Sequence, residues 1–297
     1  MLINTPINAR ILFDARALLG EGAIWDHLLK RLYWVDIEGM CFNVFNPATL
    51  ENKTYNTEKR IGSVVPINSN AVLVALEDGL AIINLTNGAI EYKCKTQIHL
   101  THNKRFNDGK CDPNGRFWVG TLSMDDIREV SALYCVKDDF TLEEKITGVS
   151  ISNGIVWNAD GSLMYYIDTP TGEIVQYDFE GKSGHISNKK LVVKIPEEIG
   201  YPDGMTIDID GMLWVALWDG FGVVKINPFT GQLLQKVDLP VPKVTSCAFG
   251  GENLDTLFIT TARTQMSEKE LEDYPLSGAI FTANVNTKGL PAFNFNL

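Results

Sequence analysis

SNGIVWNADGSLMYYIDT, residues 152–169, joins two apolar runs, GIVW and LMYYI, through an Asn-Ala-Asp-Gly segment. Val, Ile, Tyr and Trp favour a pleated backbone, and Asx-Gly favours the tight reversal between antiparallel strands, so the stretch reads as a β-hairpin. The same hairpin recurs on both sides of it. It appears as GEGAIWDHLLKRLYWVDI at 20–37, NDGKCDPNGRFWVGTL at 107–122 and PDGMTIDIDGMLWVAL at 202–217. Weaker copies are GSVVPINSNAVLVAL at 62–76 and TSCAFGGENLDTLFITTA at 245–262. Alignment puts Glu21, Ser63, Asn107, Asn153, Asp203 and Thr245 at one phase, with steps of 42, 44, 46, 50 and 42 residues. Further short β-type runs, such as SALYCV, IVQYDF and GVVKIN, fill the intervals, giving about four strands per unit. The repeat predicts an all-β fold, a six-bladed β-propeller with a central metal site, spanning residues 1–297 as one domain. RILFDARAL at 10–18 precedes the first unit and is expected to complete the last blade, closing the ring. SEKELEDY at 267–274 is the best helical stretch; it is short and polar and is expected to lie in a loop.

Length alone, 297 residues, suggests two domains, and the repeat overrides that prior. Acidic residues outnumber basic ones 37 to 26, for a net charge of −11, which argues against a nucleic-acid partner and against a polybasic membrane anchor. No apolar run approaches the roughly 20 residues of a membrane-spanning helix. The N-terminal stretch MLINTPINARILFDARALLG lacks a charged start followed by an apolar block, so no signal peptide is expected. Cys41, Cys94, Cys111, Cys135 and Cys247 are scattered, odd in number and without a CxxC pair. They read as free thiols in a reducing compartment, which places the chain in the cytoplasm. The composition sets no oligomeric state.

Asn114-Gly115, Asp160-Gly161 and Asp210-Gly211 fall between paired apolar runs, where hairpin turns belong. Asn153-Gly154 and Asp203-Gly204 fall elsewhere, ahead of the first strand of each unit, where no hairpin is needed. In a propeller the phased residues line one end of the central tunnel. Glu21, Asn153 and Asp203 offer oxygen donors and a formal charge of −2, the chemistry of a hard divalent cation. Such an oxygen set admits calcium, magnesium, manganese, zinc or ferrous iron. Asn107 from a fourth blade adds an oxygen or holds a water. Two carboxylates this close would repel without a cation. Other motifs fail. Gly181-Lys182-Ser183 lacks the first glycine of a phosphate loop, and no serine sits in a G-x-S-x-G frame. His99 and His102 have no third ligand nearby and read as solvated loop residues. Trp218 ends a strand, where it could face a ligand.

LGEGAIWD, RFNDGKCDPNGRFWVGTL, ISNGIVWNADGSLMYYIDT, YPDGMTIDIDGMLWVALWDG and TSCAFGGENLDTLFITTAR, in this order and spacing, resemble the regucalcin (senescence-marker protein)/gluconolactonase family of six-bladed propellers. That family includes sugar lactonases and luciferin-regenerating enzyme, and YPLSGAIF near the C-terminus is more similar to its bacterial sugar-lactonase branch. The resemblance implies that Glu21, Asn153 and Asp203 hold the metal and that Arg105 and Asn107 bind substrate. It also puts Asp125 where the family carries a sugar-binding Glu. The activity it implies is metal-dependent hydrolysis of a sugar lactone to the sugar acid. Asp203, with one oxygen on the metal, is the expected general base. Two rivals stand beside it. One is a calcium-binding protein without catalytic duty; the other is a phosphotriesterase-like hydrolase.

Overall fold

Each repeat unit folds into one antiparallel sheet whose strands follow one another in chain order. The structure, a computed structural model, describes residues 7–297. The expectation of no signal peptide therefore rests in part on residues 1–6, outside the described residues. Blade one comprises Gly20–Asp26, Arg31–Asp36, Cys41–Asn46 and Glu51–Asn56. The innermost strands of the next five blades are Ile61–Asn68, Lys104–Cys111, Ser152–Trp157, Tyr201–Ile207 and Val244–Gly250. Each innermost strand packs on that of the following blade, and the sixth packs on the first, so the ring closes around an axis. Arg10–Phe13 pairs antiparallel with Ile280–Asn284 and completes blade six, as the sequence predicts. An additional short strand, Ile7–Asn8, adds in parallel to the outer edge of blade five.

The burial pattern follows the blade layers. Inner strands such as Ala71–Leu76 (AVLVAL) are buried almost throughout, because neighbouring blades cover both faces of the sheet. Outer strands such as His185–Lys194 have no such cover and are polar and exposed. Five residues after the phased position stands an Asx residue in five of the six blades: Asp26, Asn68, Asp112, Asn158 and Asp208. These side chains cap the first hairpin. Asp112 accepts from the N–H groups of Asn114 and Arg116, from Trp118 Nε1 at 2.9 Å and from Arg116 Nε at 2.6 Å. Asp208 repeats the arrangement with Trp214 Nε1 at 3.0 Å and Lys225 Nζ at 2.9 Å. Both carboxylates are fully buried yet satisfied, so each ties a turn to its own blade core.

Two expectations are corrected. Asn153-Gly154 and Asp203-Gly204 lie inside the innermost strands, at register shifts, and not ahead of them. The bulge leaves two residues unpaired and turns the polar side chain toward the axis. A Cβ at Gly154 would lie 2.7 Å from both Asp203 O and Met205 Cβ, so glycine there permits the close approach of blades four and five. SEKELEDY is not a loop: Glu268–Asp273 forms a single helical turn and a half. A capping box between Ser267 and Glu270 supplies the partners that its polar sequence could not obtain from packing.

Candidate active site

The innermost strands deliver Glu21, Asn107, Asn153 and Asp203 to one end of the tunnel, where all four line a cleft of about 840 Å³ together with Arg105. These five are buried, from 5% to 7% exposed, so they form its closed end. Asn107 holds the centre of a hydrogen-bond chain. Its Oδ1 accepts from Arg105 at 2.6 Å, and its Nδ2 donates to Asn153 Oδ1 at 3.0 Å and to Ser152 O at 2.8 Å. Asn153 Nδ2 donates to Thr169 Oγ1 at 2.7 Å, and Thr169 in turn donates to Pro202 O. These bonds fix which end of the Asn153 amide is the oxygen and leave that oxygen one lone pair.

The electrostatics are unfavourable as the residues stand. Burial pushes the Glu21 carboxyl up to about 8, and the Asp108 charge adds to this; the Gly22 N–H at 3.0 Å and Arg105 oppose it. Asp203 is pushed well above the usual carboxylate range by burial, then by the charge of Glu21. Asp203 Oδ1 is buried without any hydrogen-bond partner. An orphaned carboxylate oxygen beside a second raised carboxyl and an oriented amide oxygen is a donor set that fits a hard divalent cation. Arg105 is depressed to about 10 by its burial, which leaves it cationic at neutral pH.

The remaining phased residues do not join this set. Ser63 Oγ donates to Gly109 O at 2.9 Å and Thr245 Oγ1 to Gly20 O at 2.5 Å, so both hydroxyls tie adjacent blades together. The second bond links blade six to blade one. Asp125 is exposed and accepts from Asn103 Nδ2 at 2.8 Å; the next residue, Asp126, lines the cleft instead. Trp218 does line the cleft, with Lys243 Nζ 4.5 Å from its ring. His102 is exposed, whereas His99 is half-buried in the 3₁₀ turn Ile98–Leu100. The five cysteines are free, with Cys111, Cys135 and Cys247 buried.

Four residues near the site carry no signal in the phase pattern. Asp108 is buried beside the carboxylates with Oδ2 unpartnered, and burial raises its carboxyl. Lys110 Nζ donates to Met205 O deeper in the tunnel. Glu38 and Arg60 stand on the cleft wall as an ion pair. Asp108 and Lys110 were legible only as neighbours of a phased residue.

Comparison with known proteins gives a consistent result. The SMP-30/Gluconolactonase/LRE-like region matches residues 19–263. A Bacillus subtilis (strain 168) protein named "Putative sugar lactone lactonase YvrE" is 42% identical over 276 residues, covering 93% of this chain and 94% of that protein. Regucalcin of Danio rerio is 35% identical over 280 residues, with 93% and 94% coverage. A solved structure of luciferin-regenerating enzyme superposes with a TM-score of 0.90 at 30% identity, covering 98% of this chain and 100% of the other. No helix among the described residues is long and apolar enough to cross a membrane. With the repeat, the ring closure and the matched region in agreement, the chain belongs to the SMP-30/gluconolactonase/LRE-like family.

Proposed function

We propose that the chain hydrolyses a sugar lactone to the open sugar acid, with a divalent cation held by Glu21, Asn153 and Asp203. The single observation that carries this reading is the buried, unpartnered Asp203 Oδ1 at the closed end of a polar cleft, beside a second carboxyl whose ionisation burial opposes. The similarity to a sugar lactone lactonase over nearly the whole chain supports the substrate class. When bound, the cation would supply Lewis-acid polarisation of the lactone carbonyl and would favour ionised Glu21 and Asp203.

The chain's own residues do the rest. Arg105 presents a guanidinium held by Asn107 Oδ1 and Phe106 O, so it meets substrate oxygens without reorganising. The Asn107 amide is committed to Ser152 and Asn153 and acts as the brace between Arg105 and the donor set. Asp203 takes the proton from the attacking water at the carboxylate oxygen not turned to the cation and returns it to the ring oxygen as the C–O bond breaks. Burial keeps competing water away from this carboxylate. The cleft's mixed-sign polar lining favours a polyhydroxylated lactone over an apolar phosphotriester.

The test is acid release from a panel of lactones, measured with the cation-loaded protein and after chelation. Turnover that disappears with chelator and returns with cation supports the reading. A melting temperature that depends on cation with no lactone turned over supports a calcium-binding protein without catalysis instead.

A further inference from the structure

Asp125, expected to read sugar hydroxyls, accepts instead from Asn103 at the surface, and its neighbour Asp126 lines the cleft. Another carboxylate lines the cleft from blade one. Glu38 lies in the turn between Arg31–Asp36 and Cys41–Asn46 of blade one and lines the cleft with its side chain 31% exposed. Arg60, at the entry to blade two, donates from Nε to both Glu38 oxygens at 3.0 and 3.1 Å and reaches Glu77 at 3.5 Å.

The turn that carries Glu38 is braced by its neighbours. Buried Asp36 accepts from the N–H groups of Leu18, Leu19 and Gly39, each at 2.9 Å. Met40 O accepts from both the backbone N–H and the hydroxyl of Thr57. A carboxylate fixed on both its backbone and its head group has lost its freedom before a ligand arrives, which is the requirement for selective recognition. Arg60 uses one lone pair on each oxygen, so each keeps another as an acceptor. Glu38 and Arg105 both line the cleft, and the Glu38 charge favours the cationic form of buried Arg105.

We infer that Glu38, oriented by Arg60, is the residue that accepts hydrogen bonds from substrate hydroxyls and so selects polyhydroxylated lactones. Two oxygens presented side by side match two neighbouring hydroxyls of one ring. This inference rests on the lactonase reading, and it concerns recognition of the substrate, not the bond-breaking step. A side chain in this role acts on KM more than on kcat.

The experiment compares wild type with Glu38→Gln on a polyhydroxylated six-membered lactone and on unsubstituted δ-valerolactone. The ratio of the two kcat/KM values is expected to fall about tenfold to a hundredfold, the range of a hydrogen bond to a charged group, with the change in KM. Glu38→Asp keeps the charge opposite Arg60 but withdraws it from the ligand, and the same direction of change is expected. Binding of a polyhydroxylated lactam, which is not hydrolysed, is measured by calorimetry on the same cation-loaded proteins and should weaken similarly. A ratio and a lactam affinity unchanged in both variants would overturn the assignment, as would absence of lactam binding to wild type. If wild type binds lactam but turns over no lactone, the lactonase reading fails, and weaker lactam binding by the variants still upholds Glu38.

Discussion

Replacing Glu21 by Gln should make the cation-free protein more stable at alkaline pH, although the residue lies at the centre of the candidate site. Burial and Asp108 raise the Glu21 carboxyl from 4.5 to about 8. The folded chain therefore holds a proton that the unfolded chain releases between these values. Its stability is greatest below pH 4.5 and falls as pH rises toward 8. At about 1.4 kcal/mol per pH unit, the ionised carboxylate costs the folded state about 5 kcal/mol above pH 8. Part of that cost is shared with Asp203 and Asp108, so about 2–5 kcal/mol is the expected gain from Glu21→Gln. The Gln carbonyl oxygen keeps the bond from the Gly22 N–H. Thermal unfolding with chelator, followed from pH 5 to 9, reads the effect directly. At pH 8.5 the variant should melt about 4–10 °C above wild type, at roughly 2 °C per kcal/mol, and the two should converge near pH 5. Adding calcium should stabilise wild type more at pH 8 than at pH 6 and should do little for the variant. A variant that melts at or below wild type at pH 8.5, with an undiminished pH slope, would show that the Glu21 carboxyl does not carry this cost.

Other positions give independent checks. Asp112→Ala removes the buried carboxylate that Arg116, Trp118 and two backbone N–H groups share, and should cost about 3–5 kcal/mol in urea denaturation. Gly154→Ala forces a Cβ against Asp203 O and Met205 Cβ; it should cost about 1–3 kcal/mol and weaken cation binding, measured by calorimetry.

The fold was readable because the blade repeat writes itself twice into the chain, once as apolar strand pairs and once as the phased polar residue. Ring closure by Arg10–Phe13 followed from a strand left over before the first unit. The exact place of the phased residues was not readable, because a bulge inside a strand has the same sequence as a turn ahead of one. Asn153-Gly154 shows this: the pair reads as lying ahead of the first strand and serves as a bulge inside it. Glu21, Asn153 and Asp203 were legible as neighbours at one end of the tunnel because they share a phase across blades. Ser63 and Thr245 share the same phase, but their hydroxyls are satisfied by carbonyls of the next blade. Glu38 and Arg60 meet 22 residues apart through a loop and a blade boundary, a contact no local pattern records. Asp125 was displaced for a similar reason, since loop direction decides between it and Asp126.

The most direct test of the central claim is the initial rate of acid release from an aldonolactone, measured in a pH-stat on cation-loaded wild type, chelated wild type and cation-loaded Asp203→Asn. Turnover is expected in the first, restored to the second by adding cation, with at least a hundredfold loss in Asp203→Asn and an unchanged circular dichroism spectrum. Turnover that survives chelation, or an Asp203→Asn variant working near the wild-type rate, would contradict the claim.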